Sequence, residues 1–96
     1  MKMLLMVYNQ ATDEEVMSGL GACCIENFTK WRKVLGKGQT SGPHLDSNIW
    51  PGANNVCMAV VGEEKVPAIL GEIRNLRKTL GKEGVKAFVL PVEEIT

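Results

Sequence analysis

The chain has 96 residues, of which 45% are hydrophobic and 23% are charged, so it is long enough for one domain with one compact core. Eleven basic and eleven acidic side chains cancel, which leaves no net charge to attract a nucleic-acid backbone or an anionic membrane. The longest apolar runs are far shorter than the ~20 residues of a membrane-spanning helix, and none has the form of a secretory signal. We therefore expect a cytoplasmic protein that neither inserts into membranes nor binds nucleic acid.

The first part of the chain predicts a strand, a helix and a second strand. Lys2–Tyr8 is apolar through its middle, which is typical of a central strand. Thr12 and Glu15 have the spacing of a capping box, and the apolar residues that follow recur at helical spacing, which predicts a helix over Asp13–Cys23. Ile25–Leu35 mixes apolar and basic side chains, which predicts a long edge strand whose charges discourage pairing with other sheets.

The second part predicts a loop, a strand, a helix and a last strand. Gly36–Asn54 is rich in glycine and has no apolar period, and a loop this long in a small domain is typical of a functional segment. Asn55–Val61 is a near-continuous apolar run and predicts a second central strand. Glu63–Leu80 carries one apolar stripe and predicts a helix, with its proline in the first turn. Val85–Val92 predicts the last strand.

This βαββαβ order predicts an α+β, ferredoxin-like sandwich: a four-stranded antiparallel sheet with two helices on one face. The two central strands are apolar at consecutive positions, so they present apolar side chains to both faces of the sheet. The helices cover only one of these faces. The uncovered face therefore predicts a homo-oligomer whose subunits pack sheet to sheet.

The closing segment 86–94 reads K-A-F-V-L-P-V-E-E and is close to the K-x-F-V-x-P-V-E-E pattern of the PII signalling family. Together with the element order and the long loop after the second strand, it makes nearly the whole chain resemble that family. The resemblance implies one domain over 1–96, a homotrimer with inward-facing sheets, and a T-loop at about 36–54. It also implies that ATP, ADP or another nucleotide binds in clefts between subunits, and that the loop controls a target protein such as a transporter, an efflux pump or a regulator.

Several positions depart from the family's pattern. Thr40 stands where the 2-oxoglutarate-binding glutamine of the family aligns, and Gln39 comes one position early. The loop lacks the tyrosine that is uridylylated in better-known members, and the arginine-bearing tail of the family does not follow Glu94. In these respects the chain resembles a shortened subgroup of PII-like proteins that occurs beside heavy-metal efflux systems.

The resemblance places the ligand site at the base of the loop and at the start of the last strand, where Lys86 aligns with a phosphate-contacting lysine. The residues concerned are Gly36, Gly38, Gln39, Thr40, Gly42, Gly84 and Lys86. Considered without the family, the glycines fit either an anion nest of backbone N–H groups or a plain flexible loop base, and both interpretations stay open.

A second hypothesis is a metal-binding or metal-tolerance protein that acts directly through loop ligands and cysteine. His44 and Asp46 are ligand types for a divalent metal, and a trimer would bring together three copies of each; a solvated histidine is the alternative. His44, Asp46 and Trp50 are also candidates for docking a partner, although Trp50 has the alternative of folding back on its own trimer. No histidine accompanies a nucleophile, so we predict no enzyme.

Overall fold

The computed structural model describes residues 1–36, 53–80 and 84–96. The strands are β1 (Lys2–Asn9), β2 (Thr29–Val34), β3 (Asn54–Val61) and β4 (Val85–Pro91), and the helices are α1 (Asp13–Ala22) and α2 (Val66–Leu80). A short 3-10 turn precedes each helix, at Gln10–Thr12 and at Glu63–Lys65. The strands form one antiparallel sheet in the order β2-β3-β1-β4, so the predicted ferredoxin-like βαββαβ fold is confirmed.

The core lies between the sheet and the two helices. Its central residues share nearly complete burial and alternate along β1 and β3: Leu4, Met6, Tyr8, Cys57, Ala59 and Val61. Helices α1 and α2 contribute Val16, Leu20, Ile69 and Ile73 from their inner faces. Pro67 lies in the first turn of α2, where its missing N–H breaks no hydrogen bond of the helix, as predicted.

The predicted capping box at Thr12 and Glu15 is wrong. Asn9 starts the 3-10 turn instead, and its side-chain oxygen accepts a hydrogen bond from the Ala11 amide at 2.8 Å. The Thr12 hydroxyl donates to the Asn9 carbonyl at 2.8 Å and makes no cap for α1. Because Asn9 already reverses the chain after β1, α1 continues from the 3-10 turn and has no capping side chain of its own.

Strand β2 is shorter than predicted, since it begins at Thr29 and not at Ile25. The helix ends in a turn in which Cys24 has a φ of 61° and the Ile25 amide donates to the Leu20 carbonyl at 3.0 Å. Ile25 is thereby buried in the core, outside any strand. The prediction that β2 is an edge strand is confirmed.

The sheet face opposite the helices is apolar, as predicted. We call it the helix-free face; its apolar members on the four strands are Met3, Leu5, Val7, Trp31, Val34, Val56, Met58, Val60, Phe88 and Leu90. Four of them are exposed in the single chain: Phe88 at 50%, Trp31 at 46%, Leu90 at 42% and Val60 at 36%. This face offers a continuous apolar surface for association.

Candidate functional site

The two segments predicted to bind a ligand, at the base of the loop and at the start of the last strand, adjoin the same end of the sheet. Because every neighbouring pair of strands is antiparallel, the ends of β1 and β2 and the beginnings of β3 and β4 lie together. We call this the loop end of the sheet. Two backbone hydrogen bonds close it: the Asn9 amide donates to the Gly84 carbonyl at 3.3 Å, and the Gln10 amide donates to the Ala53 carbonyl at 2.7 Å.

Three of the predicted ligand residues are described, and all three lie at or near the loop end. Gly36 follows β2, Gly84 precedes β4, and Lys86 is exposed near the start of β4. Lys86 pairs with Val7 and therefore points to the helix-free face. The strands β2 and β4 are opposite edges of the sheet, about 14 Å apart at three strand spacings. In a single chain, the segment with Gly36 and the segment with Gly84 and Lys86 therefore lie at the same end of the sheet but on opposite edges.

The other predicted site residues lie outside the described residues. They are Gly38, Gln39, Thr40, Gly42, His44, Asp46 and Trp50. Their assignment to ligand, metal or partner stays a prediction. At the described edge of this segment, a Cβ on Gly36 would lie 2.9 Å from the Asn54 side-chain nitrogen, the far end of a flexible side chain, so a larger residue there requires only that this amide turn aside.

A polar cluster on the helix side of the loop end was not anticipated. Its members are the side chains of Tyr8, Asp13, Lys30 and Asn55, which we call the Asp13 network. The Asp13 carboxylate accepts from the Tyr8 hydroxyl at 2.6 Å and from the Asn55 amide at 3.2 Å. It also accepts from Lys30 Nζ, at 3.0 Å on one oxygen and 3.2 Å on the other. The network thus joins α1 to β1, β2 and β3.

The network shifts the pKa values of two of its members in opposite directions. Partial burial by itself would raise the pKa of Asp13, but hydrogen bonds from Tyr8, Lys30 and Asn55 outweigh burial, and the pKa lies below its ordinary value. Burial, followed by the hydrogen bond to Asp13, raises the pKa of Tyr8. Asp13 is therefore an anion at neutral pH, and Tyr8 is a neutral donor to it.

Strand β2 contains an irregularity beside this network. Trp31 pairs with Val56 and Val34 pairs with Asn54, so two residues of β2, Arg32 and Lys33, face one residue of β3. Lys33 has a φ of 56°, a left-handed conformation that is uncommon for lysine. Its amide donates to the Asn55 side-chain oxygen at 3.3 Å. This is a β-bulge, and it lies three residues before Gly36.

The described cysteines and carboxylates form no metal site. Within residues 1–36, 53–80 and 84–96, no three His, Cys, Asp or Glu side chains are grouped as metal ligands would be. All three cysteines are free thiols. Cys57 is fully buried in β3, where it packs as a small core residue, and burial raises its pKa to about 11.

An open antiparallel sheet with two helices on one face, an apolar second face and a long connection between β2 and β3 is typical of a class of small α+β proteins. Within that class, the family model described as nitrogen regulatory protein P-II matches residues 1–96. The chain therefore belongs to the P-II family, as the sequence predicted. A comparison with curated proteins found no match.

Solved structures of PII-like proteins have the same fold. CPII from Thiomonas intermedia K12, in a structure bound to ADP, AMP and acetate, has a TM-score of 0.74 and 20% identity, covering 99% of this chain and 88% of that chain. CPII bound to ADP, AMP and bicarbonate has a TM-score of 0.70 and 20% identity, with coverages of 92% and 81%. A structure described as a PII-like signaling protein from Thermus thermophilus has a TM-score of 0.63 and 19% identity, with coverages of 92% and 81%.

In the described part of the chain, neither helix combines the length and the apolar character that a bilayer crossing requires.

Proposed function

We propose that this chain is a homotrimeric regulatory protein of the cytoplasm that binds an adenine nucleotide between subunits at the loop end of the sheet. It then controls a target protein, such as a transporter, an efflux pump or a regulator, through the 36–54 loop. The observation that carries the proposal is the placement of Gly36, Gly84 and Lys86 at one end of the sheet in a chain of the P-II family. The nucleotides in the CPII structures support the choice of ligand.

The geometry also supports a site shared between subunits. Gly36 follows β2 and Gly84 precedes β4, and these two strands are the opposite edges of one sheet, about 14 Å apart. Packing of several copies through their helix-free faces would set the β2 edge of one sheet beside the β4 edge of another. A nucleotide between them would then meet glycine N–H groups from the loop base and the Lys86 ammonium, both of which suit phosphate oxygens.

Isothermal titration calorimetry with ADP, AMP and ATP tests the proposal directly. We expect Lys86→Ala to weaken binding by about tenfold or more, because a charged hydrogen-bond donor to phosphate is lost. Lys78→Ala, which removes an exposed lysine from α2, is the matched control and should leave affinity unchanged. Absence of nucleotide binding by the wild-type chain, or equal affinity in the two variants, would refute this assignment.

The same calorimeter distinguishes the metal-binding alternative. Divalent cations titrated into the wild-type chain and into His44→Ala would report on the loop ligands predicted from the sequence. Metal uptake that His44→Ala abolishes, combined with no heat from any nucleotide, would favour that alternative over nucleotide sensing. Neither result tests the resemblance to the subgroup that occurs beside heavy-metal efflux systems, which stays a prediction.

A further inference from the structure

The bulge in β2 decides which residues the strand presents beyond Trp31. Side chains alternate between the two faces of a strand, so one additional residue exchanges the faces of everything that follows. With the bulge, Val34 lies opposite Asn54 and joins the helix-free face. Without it, Lys33 would lie opposite Asn54, and a second charged side chain, besides Lys86, would lie on that face in place of the apolar Val34. The position of Gly36 would also shift by one residue, about 3.3 Å along the strand.

Asn55 holds the bulge with both ends of its side-chain amide. Its oxygen accepts from the Lys33 amide at 3.3 Å, and its nitrogen donates to Asp13 at 3.2 Å. Asn55 is fully buried, so neither end of this amide has water to replace its partner. The irregular pairing leaves the Lys33 amide without a backbone acceptor in the sheet, and the side chain of Asn55 supplies an acceptor instead.

Asp13 determines which way this amide is oriented. An ionised carboxylate only accepts hydrogen bonds, so it requires the nitrogen end of the Asn55 amide to face it. The oxygen end is then directed to Lys33. Tyr8 and Lys30 hold the carboxylate from two other strands, at 2.6 Å and 3.0 Å. The orientation of one buried amide is therefore fixed from α1, β1 and β2 together.

We propose that the Asp13 network sets the register of β2 at the loop end and thereby positions Gly36 for the ligand. Asn55 and Asp13 are positioning residues in this proposal, and neither touches the nucleotide. The effect on the ligand rests on the proposed function, whereas the effect on register does not.

Two variants test the register. Asn55→Val removes the acceptor for Lys33 and supplies a side chain that suits a regular strand. We expect β2 to slip by one residue, so that nuclear Overhauser contacts of position 54 change from Val34 to Lys33. Deleting Lys33 in the Asn55→Val background removes the additional residue and should return Val34 to its place opposite position 54. Asn75→Val, an exposed amide of α2, is the control for the substitution itself.

Nucleotide affinity measured on the same proteins tests the positioning of Gly36. Asn55→Val should bind ADP about tenfold more weakly or worse, as expected when hydrogen-bond partners of a charged ligand are displaced, and the deletion should restore affinity. A contact between Val34 and position 54 that persists in Asn55→Val would overturn the proposal. So would a restored register without restored affinity. If the wild-type chain binds no nucleotide, the proposed function fails, but the contacts still decide the register.

If Asn55→Val does not fold, Asp13→Asn provides the second test. The variant keeps the size of the side chain but lets the Asn55 amide turn round, since an amide at position 13 donates as well as accepts. Hydrogen exchange at the Lys33 amide should accelerate by about tenfold or more beyond the acceleration in β1 and β4, which reports only the loss of global stability. Equal acceleration at Lys33 and in these two strands would overturn the proposal.

Discussion

Asp13 stabilises the fold through its charge, because three donors converge on its carboxylate. We expect Asp13→Asn to lower the free energy of unfolding at neutral pH by about 1.5–3 kcal/mol, the range for hydrogen bonds to a charged group. The pKa of Asp13 is lower in the folded than in the unfolded state, so its contribution is complete above the ordinary value of 3.8. The contribution is lost as the pH falls through the lower folded pKa. Urea unfolding at a series of pH values and one protein concentration measures this.

Glu14→Gln is the control for the Asp13 variant. Glu14 is an exposed acid in the same first turn of α1, so its replacement removes the same charge from the helix N-terminus without touching the network. The difference between wild type and Asp13→Asn should shrink as the pH is lowered from about 5 to about 2, whereas the difference for Glu14→Gln should stay small throughout. A difference for Asp13→Asn that does not depend on pH would contradict the role of its charge.

The cysteines should differ in their reactivity towards thiol reagents. Cys24 is exposed, whereas Cys57 is fully buried and its pKa is raised to about 11. Burial, followed by Glu72 and Cys24, also raises the pKa of Cys23. Titration with Ellman's reagent at pH about 8 should therefore label Cys24 first and Cys57 only on unfolding. Cys24→Ser should remove the fast phase, and fast labelling of Cys57 in the native protein would contradict its burial.

The Asp13 network could not be predicted from its residues taken one at a time. Asp13 is the first residue of a predicted helix, where an acidic side chain suits the first turn, and Lys30 is one of the basic residues of the predicted edge strand. Both are true of their positions, but the two side chains turn towards each other and towards Tyr8 and Asn55. The donors lie 5, 17 and 42 residues from Asp13, so only the packed strands bring them together. No local spacing carries that information.

Elements were predictable where a long hydrophobic pattern decides the structure. The helix α2 matches its prediction closely because one buried face imposes a helical period on it, and β1 matches because a continuous apolar run of strand length is typical of a central strand. The start of β2 was wrong because Ile25 is apolar for another reason. It closes the turn after α1 and lies in the core, with the left-handed Cys24 before it. Periodicity does not separate a buried turn residue from the first residue of a strand.

Two glycines of α1 should respond differently to alanine. A Cβ on Gly21 meets nothing within 4 Å, so Gly21→Ala should raise the free energy of unfolding by about 0.5–1 kcal/mol through helix propensity. A Cβ on Gly19 would lie 3.2 Å from Glu72 Cγ and 3.3 Å from Leu76 Cδ1, so α2 has to adjust. Gly19→Ala should therefore gain less than Gly21→Ala, or lose stability. Equal stabilisation of the two variants in urea unfolding would contradict this prediction, because it would mean that α2 accommodates the additional Cβ at position 19 without cost.

On the scale of the whole molecule, the apolar helix-free face was predictable and its occupant was not. Consecutive apolar residues in β1 and β3 require burial on both faces of the sheet, and the described part of the chain has only two α-helices to provide it. That pattern does not determine which partner covers the helix-free face or how it packs there. The roles predicted for the loop residues from Gly38 to Trp50 stay predictions, because these residues lie outside the described part of the chain.

Association through the helix-free face makes a prediction about mass in solution. Phe88 is 50% exposed and lies beside Leu5 at the centre of β1, so a charge there would have to be buried in a trimer packed sheet to sheet. Light scattering should give three times 10.5 kDa for the wild-type chain and close to the single-chain mass for Phe88→Glu.

Asn75→Glu is the control for this variant, because it adds the same charge to the outer surface of α2 and should leave the trimer intact. A wild-type chain that is monomeric at micromolar concentration, or a Phe88→Glu variant that stays trimeric, would place the association elsewhere. Since the proposed nucleotide site takes residues from two subunits, ADP affinity should fall together with the trimer in Phe88→Glu and remain in Asn75→Glu.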